Sequence, residues 1–113
     1  MAVNAVYRFE CPCGAIYIGE SECLKSRIID HQQRSKQTAV FCHTDICETF
    51  QTRFQDEYEQ NNFKSRFDYL SKMFSVLHKN LAYHKRVQME ALEIRLNNPP
   101  LNKQIQHQQV FII

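Results

Sequence analysis

The stretch from Val6 to His31, VYRFECPCGAIYIGESECLKSRIIDH, decides the fold that this chain is expected to adopt. Apolar residues alternate with polar ones at the start of this stretch and just before it: Val3, Ala5, Tyr7 and Phe9. Only Val6 breaks this alternation. A period of two is typical of a half-buried strand. A second strand is predicted over residues 15–19, and the Cys-Pro-Cys-Gly sequence between them favours a turn. The two strands should therefore form an antiparallel hairpin.

A helix is predicted after the hairpin, because a glycine ends the second strand and an amphipathic segment follows. We expect it to begin at residue 21 or 22, with Ser21 as the N-cap, and to run to about residue 35. At about 100° per residue, Arg27 and His31 then project from one face, beside the apolar stripe. Taken singly, a solvated arginine and a partly buried histidine would explain both residues.

The composition fits one domain with a single core, since the chain has 113 residues and 43% of them are hydrophobic. The amino-terminal residues include no apolar signal-peptide core, and no apolar run is long enough to cross a bilayer. We therefore expect an intracellular protein, cytoplasmic or nuclear, without a membrane partner. The net charge of +2 neither requires nor excludes a nucleic-acid partner, because local clusters of Lys and Arg decide that question.

The chain contains an odd number of cysteines without a predicted signal peptide: Cys11, Cys13, Cys23, Cys42 and Cys47. This pattern favours reduced thiols or metal ligands over a disulfide framework. Cysteine and histidine are ligands that zinc selects, and four of them on two short segments can close a tetrahedral structural site. The alternative is a set of small buried thiols.

A long helix is predicted from residue 79 or 80 to residue 96, where an Asn-Asn-Pro-Pro sequence stops it. Glu90 should lie at the edge of its apolar stripe, which is expected to comprise Val87, Ala91 and Ile94. A carboxylate there destabilises the fold unless it is paired, hydrogen-bonded or bound to a cation. Glu90 therefore needs a partner, either a nearby Arg or Lys or a divalent metal, whereas Glu93 is the better candidate for a solvated charge.

Three aromatic residues recur at intervals of four in the polar segment that precedes this helix: Phe50, Phe54 and Tyr58. This interval predicts a helix with an aromatic stripe. Such stripes usually face the core, so packing is the favoured interpretation and stacking on nucleic-acid bases is the alternative.

The sequence resembles the GIY-YIG nuclease family. Ala5-Val6-Tyr7 and Tyr17-Ile18-Gly19 match its two triplets, with Ala and Val in place of Gly and Ile in the first and a short connection over residues 8–16. The other motif residues follow in order: Arg27, His31, Glu90 and Asn102. The resemblance implies an α+β fold, in which a small antiparallel three-stranded sheet is flanked by helices and the third strand lies near residues 67–74. It also implies a single nuclease domain over residues 1–113, with an inserted helical segment at about 37–62.

A second set of residues is similar to the GIY-YIG domains of Penelope-like retroelements. It consists of Cys11 and Cys13 in the hairpin, the sequence TAVFCH at residues 38–43, and Cys47. This resemblance implies a zinc-knuckle-like cluster built from the hairpin and the segment after the first helix. The preferred ligands are Cys11, Cys13, His43 and Cys47, with Cys42 as the alternative to His43.

The resemblance implies a metal-dependent DNA endonuclease that hydrolyses phosphodiester bonds, by nicking or double-strand cleavage, and is associated with a mobile element. Glu90, as a hard oxygen ligand, would hold Mg²⁺ or Mn²⁺, and Arg27 would bind a phosphate oxygen. Tyr7 would act as general base or orient the attacking water with help from His31, and Tyr17 would position water or phosphate. Asn102 would orient a strand or Glu90.

DNA contacts are predicted on and after the first helix and on the last one, at Lys25, Arg34, Lys36, Lys85 and Arg86. Charges on helices usually form a solvated face, which is the ordinary alternative for each of these residues. Two other classes of protein stay open. One is a zinc-stabilised nucleic-acid-binding module whose catalysis has decayed, and the other is a protein-interaction domain on the same scaffold.

Overall fold

The computed structural model describes residues 2–57 and 63–102. The strands of its antiparallel sheet are ordered β2-β1-β3, and helices flank the sheet, so the predicted α+β fold class is confirmed. The elements are β1 Val3–Glu10, β2 Ile16–Cys23, α1 Leu24–His31, a 3-10 turn Arg34–Lys36, α2 Ala39–Ile46, α3 Glu48–Glu57, α4 Phe63–Ser71, β3 Phe74–His78 and α5 Tyr83–Asn97. Within the described ranges no helix is both long and apolar enough to span a membrane.

The hairpin of β1 and β2 has the predicted antiparallel pairing and extends further than expected. Tyr7 pairs with Gly19 and Ala5 pairs with Ser21, so β2 continues past the glycine to Cys23. The predicted N-cap at Ser21 is therefore wrong, because that residue lies within the sheet. Helix α1 begins at Leu24 and ends at His31, four residues earlier than residue 35.

Both faces of β1 are covered, which explains why Val6 breaks the alternation. Tyr7 and Phe9 point into the core under α1, α2 and α4, while α5 packs against β1 and β2. Because two layers cover the strand, Val6 is as fully buried as its neighbours Ala5 and Tyr7.

The third strand lies later than predicted. Residues 67–71 belong to α4, and β3 begins only at Phe74, where it pairs with Phe9 of the central strand. Phe67 and Leu70, three residues apart, both pack against the hydrophobic core from one face of α4. The spacing of these apolar residues thus matches a helix in the segment where a strand was expected.

Helix α5 presents a different face to the sheet from the one predicted. Val87 is 37% exposed and Ala91 is also exposed, whereas the buried residue of the helix is Arg86. Glu93 is not the solvated charge that was expected: its side chain is only 18% exposed, and its Oε1 lies 3.6 Å from Nε2 of His78. The predicted apolar stripe and the prediction for Glu93 are therefore both wrong, because contacts with β1 and β2, and the contact of Glu93 with His78 on β3, determine the buried face.

Helices α2 and α3 lie in the segment predicted to be an inserted helical region, and α3 carries part of the aromatic stripe. The Phe50 and Phe54 rings lie 5.0 and 5.3 Å from the ring of Tyr69 on α4. The packing interpretation is confirmed for these two residues, and Tyr58 lies outside the described residues.

Candidate functional site

Tyr7 and His31 form a fully buried pair at the centre of the molecule. The hydroxyl oxygen of Tyr7, on the central strand, lies 2.8 Å from Nε2 of His31, the last residue of α1. Nδ1 of the same imidazole lies 2.8 Å from Oγ1 of Thr38, the residue that caps α2. The structure thus joins two of the predicted site residues and adds Thr38, which was not among them.

Burial fixes the protonation states of this pair. It lowers the pKa of His31 to about 3, with the positive charge of Arg27 acting in the same direction. Burial also raises the pKa of the Tyr7 phenol well above its usual value, and Tyr17 contributes to this effect. At neutral pH His31 is therefore an uncharged imidazole and Tyr7 keeps its proton.

Arg27 brings a positive charge to the phenols of both motif tyrosines. Its positive charge lowers the pKa of both phenols and so opposes the rise that burial causes. The side chain is 34% exposed, and Nη1 lies 3.6 Å from Oδ2 of Asp30. Arg27 therefore connects the buried tyrosines to solvent, where an anionic ligand has access to it.

Position 19 must be a glycine because the side chains of Tyr7 and Tyr17 pack directly over it on β2. A Cβ at this position would lie 2.6 Å from the hydroxyl oxygen of Tyr7 and 2.8 Å from a ring carbon of Tyr17. Any larger residue would have to displace one of the two rings. The glycine of the second triplet thus places both phenols at one point of the sheet.

Glu90 lies half-buried beside β2, close to the same site. Burial raises the pKa of its carboxyl, and the nearby carboxylate of Glu20 raises it further. A backbone hydrogen bond from Glu20 and the charge of Arg27 act in the opposite direction. A half-buried carboxylate beside a second acid is a position that a divalent cation would stabilise, and Mg²⁺ needs only one or two such ligands alongside water.

Asn102 holds the outer edge of β2. Its side-chain oxygen accepts a hydrogen bond from the backbone N–H of Ile18 at 2.7 Å, and its Nδ2 donates to the carbonyl of the same residue at 2.7 Å. These two bonds satisfy backbone groups that an edge strand would otherwise leave unpaired. Of the two predicted roles, the geometry therefore matches the orientation of a strand.

Arg86 is not available to DNA, which corrects its predicted role as a phosphate contact. It is 3% exposed, and Nε donates to Oε2 of Glu20 at 2.5 Å. Nη1 donates to Oδ1 of Asn4 at 3.0 Å and to the carbonyl of Leu81 at 3.3 Å. A guanidinium buried between three acceptors fixes α5 to the hairpin and has no surface left for a ligand.

The other residues predicted to contact DNA do lie on the surface: Lys25, Arg34, Lys36 and Lys85. Arg34 is engaged, since its Nη2 lies 3.4 Å from Oδ1 of Asp45 and its guanidinium lies over the ring of Phe41. The exposure of these residues is compatible equally with phosphate contacts and with a solvated face.

A second group of chemically active side chains lies at the tip of the hairpin. The Sγ and imidazole nitrogen atoms of four residues all lie within 4.8 Å of one another: Cys11, Cys13, His43 and Cys47. Two of the separations are 3.8 Å, from Cys11 to Cys47, and 3.3 Å, from Cys13 to Nε2 of His43. Zinc bond lengths give tetrahedral edges of about 3.8 Å between sulfurs and about 3.5 Å between sulfur and nitrogen. The cluster therefore has the composition and size to hold a metal ion.

The cluster includes His43 and leaves Cys42 out, so the alternative ligand is not needed. The Cys42 thiol is exposed and donates to Oε1 of Gln37 at 3.6 Å. Burial lowers the pKa of His43, which favours the neutral imidazole that binds metals. Burial opposes ionisation of Cys47, but backbone hydrogen bonds from Phe50 and Thr49 and the neighbouring thiols lower its pKa overall.

Comparison of the chain with protein-family models, with curated proteins and with solved structures finds no match.

The sequence missed two residues of the site, Thr38 and Glu20. A threonine before the apolar run Ala-Val-Phe is an N-cap signal, so the cap of α2 could have been predicted. Its contact with His31 could not, because nothing in the spacing brings the two side chains together. Glu20 follows the second triplet directly, and the strand period places its side chain on the face opposite the tyrosines, where α5 packs.

Proposed function

We propose that this protein is a metal-dependent DNA endonuclease that hydrolyses phosphodiester bonds. One observation carries the proposal: the positive charge of Arg27 acts on the phenols of Tyr7 and Tyr17 and on the half-buried carboxylate of Glu90. A fixed cation beside a carboxylate with a raised pKa is suited to a phosphate ester and a divalent metal.

Arg27, which is partly exposed, would contact the substrate directly. It offers a fork of donors to a phosphate oxygen, and its charge also acts on the phenol of the buried Tyr17. Glu90 would hold Mg²⁺ or Mn²⁺, which supplies charge neutralisation at the phosphate and lowers the pKa of bound water. DNA is the proposed partner, and Lys25, Lys36 and Lys85 are exposed where they can contact its backbone.

Tyr7 has a different role here from the general base that the sequence suggested. Its hydroxyl is fully buried, keeps its proton at neutral pH and bonds His31, so it does not reach an attacking water in this arrangement. Its ring packs against that of Tyr17, with 6.3 Å between the ring centroids, and so helps to position Tyr17. His31 fixes the direction of the Tyr7 hydroxyl, on which the charge of Arg27 acts.

The Cys/His cluster is proposed to bind zinc as a structural ion. Its ligands come from the turn after β1 and from the carboxyl-terminal end of α2, two segments about 30 residues apart. Zinc would hold the hairpin tip against α2. The five cysteines form no disulfide in the structure, which fits the proposal of an intracellular protein, cytoplasmic or nuclear.

The experiment that tests the proposed function is cleavage of supercoiled plasmid by the protein with Mg²⁺, with Mn²⁺ and with EDTA. Wild-type protein is expected to nick or linearise the plasmid only with a metal, and Glu90→Gln and Arg27→Ala are expected to lose the activity. Glu93→Gln is the matched control, since it changes an acid on the same helix that pairs with His78. Cleavage that persists in both Glu90→Gln and Arg27→Ala would refute the assigned site.

A nucleic-acid-binding module without catalysis is the second candidate, favoured by the complete burial of Tyr7. A protein of this class would shift DNA in a salt-dependent manner and leave plasmid uncleaved under all metal conditions. Absence of salt-dependent DNA binding would instead point to a protein-interaction domain.

A further inference from the structure

Thr38 joins two parts of the molecule through one hydroxyl group. Its Oγ1 accepts a hydrogen bond from the backbone N–H of Phe41 at 3.1 Å, which caps the first turn of α2. The same oxygen lies 2.8 Å from Nδ1 of His31. The start of α2 and the orientation of the buried imidazole therefore depend on one side chain.

The other end of α2 belongs to the metal cluster. His43 lies in the last turn of the helix, and Cys47 is its C-cap, with its N–H bonded to the carbonyl of His43 at 3.0 Å. Cys11 follows β1 four residues after Tyr7. The elements thus form a closed path that runs from Tyr7 along β1 to the cluster, back along α2 to Thr38, and through His31 to Tyr7.

The donors and acceptors along this path indicate which nitrogen of His31 carries the proton. Tyr7 is fully buried, so its O–H needs an acceptor within the protein, and Nε2 of His31 lies 2.8 Å from its oxygen. Nδ1 then bears the hydrogen and donates to Oγ1 of Thr38. This tautomer gives the buried Tyr7 hydroxyl and both imidazole nitrogens a partner, and it depends on the position of Thr38.

We infer that Thr38 is a positioning residue for the Tyr7–His31 pair, and that metal in the Cys/His cluster regulates the candidate catalytic site through α2. The effect on catalysis rests on the proposed function. The coupling between the Cys/His cluster and the Tyr7–His31 pair does not, because it involves residues of this chain alone. Zinc at the carboxyl-terminal end of α2 would fix that helix and so hold Thr38 within hydrogen-bond distance of the imidazole. Loss of zinc frees the helix, and the His31 tautomer is then no longer fixed.

The direct test is nitrogen-15 NMR of the histidine rings, which reports the protonated nitrogen of His31 without any need for DNA. In the zinc-loaded wild type we expect protonated Nδ1 and unprotonated Nε2. Chelation of zinc is expected to shift the His31 ring signals towards a mixture of tautomers while the sheet remains folded. Thr38→Ser keeps the hydroxyl and is expected to retain the zinc-loaded spectrum.

Two threonine-to-valine variants, one at the N-cap of α2 and one within the helix, separate positioning from stability. Thr38→Val removes the acceptor, so the zinc-loaded variant should lose the fixed tautomer and chelation should change its His31 signals little further. Thr44→Val removes the hydroxyl that donates to the carbonyl of Phe41 at 3.3 Å on the same helix, and it should leave His31 unchanged. In the plasmid assay we expect Thr38→Val to lower kcat about tenfold with little change in KM, and Thr38→Ser to restore it.

The outcomes distinguish the inference from the proposed function. An unchanged tautomer in zinc-loaded Thr38→Val, or wild-type His31 signals that do not respond to chelation in folded protein, would overturn the linkage. If Thr38→Val does not fold, the wild-type chelation experiment decides, and if chelation unfolds the protein, the zinc-loaded variants decide. A protein with the expected His31 response that never cleaves DNA refutes the nuclease proposal alone.

Discussion

Arg86 and Glu20 form an ion pair that fastens α5 to the hairpin, with 2.5 Å between Nε and Oε2. The arginine is buried, and it also bonds Asn4 on β1 and the carbonyl of Leu81. Breaking such a pair by removing one partner leaves the other charge partly buried without compensation. The pair therefore supports the helix that carries Glu90, one turn further along.

We predict that Arg86→Met lowers the free energy of unfolding by about 3–5 kcal/mol, because it strands the carboxylate of Glu20. The double variant Arg86→Met with Glu20→Gln should recover part of this loss, since no uncompensated charge remains. Urea unfolding measures both effects. Lys85→Met is the matched control at an exposed neighbouring position and should change stability by no more than about 0.5 kcal/mol. Equal losses for Arg86→Met and Lys85→Met would contradict the structural role.

Gly19→Ala is predicted to destabilise the protein and to impair the candidate site together, because the added methyl group overlaps the rings of Tyr7 and Tyr17. Overpacking of this kind costs about 1–3 kcal/mol. Gly14→Ala is the control, since its φ of +96° makes alanine strained but a Cβ there meets nothing within 4 Å. Urea unfolding and the near-ultraviolet signal of the tyrosines should show that only Gly19→Ala displaces the rings. A tyrosine signal that Gly19→Ala leaves unchanged would argue against the close contact.

The parts of the fold that depend on local pattern could be predicted from the sequence. Alternation over residues 3–9 and the turn at 11–14 are local signals, and the structure forms the hairpin there. The start of α1 was missed because the pairing of Ser21 with Ala5 overrides a capping preference that is worth only about 1 kcal/mol. The position of β3 was missed because the spacing of Phe67 and Leu70 belongs to a helix that packs on the core.

The sequence indicated most of the residues that belong to the candidate site, but it did not indicate which of their side chains contact one another. His43 and Cys42 are adjacent on α2 and point about 100° apart, so spacing alone could not decide which one faces Cys13. Arg86 looked like any other helix cation, because its partners Glu20 and Asn4 lie 66 and 82 residues earlier in the chain. Tertiary contacts at such separations leave no periodic signal in a single sequence.

The buried neutral state of His31 makes stability depend on pH. The unfolded imidazole takes up a proton near its usual pKa of 6.5, whereas the folded one does so only near its pKa of about 3. The unfolded state therefore binds more protons between these values, and stability falls as the pH falls, by up to about 1.4 kcal/mol per pH unit and about 5 kcal/mol in all.

We predict that His31→Gln removes this contribution, so that its stability falls less than that of the wild type between pH 6.5 and pH 4. The pKa of Glu90 is raised and acts in the opposite sense, but it is common to both proteins and cancels in the difference. Urea unfolding at several pH values measures the slopes, and the exposed His84 provides the control His84→Gln, which should keep the wild-type slope. Parallel pH profiles for wild type and His31→Gln would show that the imidazole is not buried in its neutral form.

Two cysteines five residues apart, one inside the metal cluster and one outside it, provide a matched comparison. Cys47→Ser removes a ligand atom that lies 3.8 Å from the Cys11 sulfur, whereas Cys42→Ser changes an exposed thiol outside the cluster. Elemental analysis should find about one zinc per chain in the wild type and in Cys42→Ser, and much less in Cys47→Ser. Because zinc binding free energy adds to the stability of the folded state, chelation should lower the Tm of the wild type and of Cys42→Ser and leave that of Cys47→Ser nearly unchanged. A protein purified without added metal that contains only a trace of zinc, and whose Tm does not respond to added zinc, would show that these four residues are a set of reduced thiols and a histidine in contact.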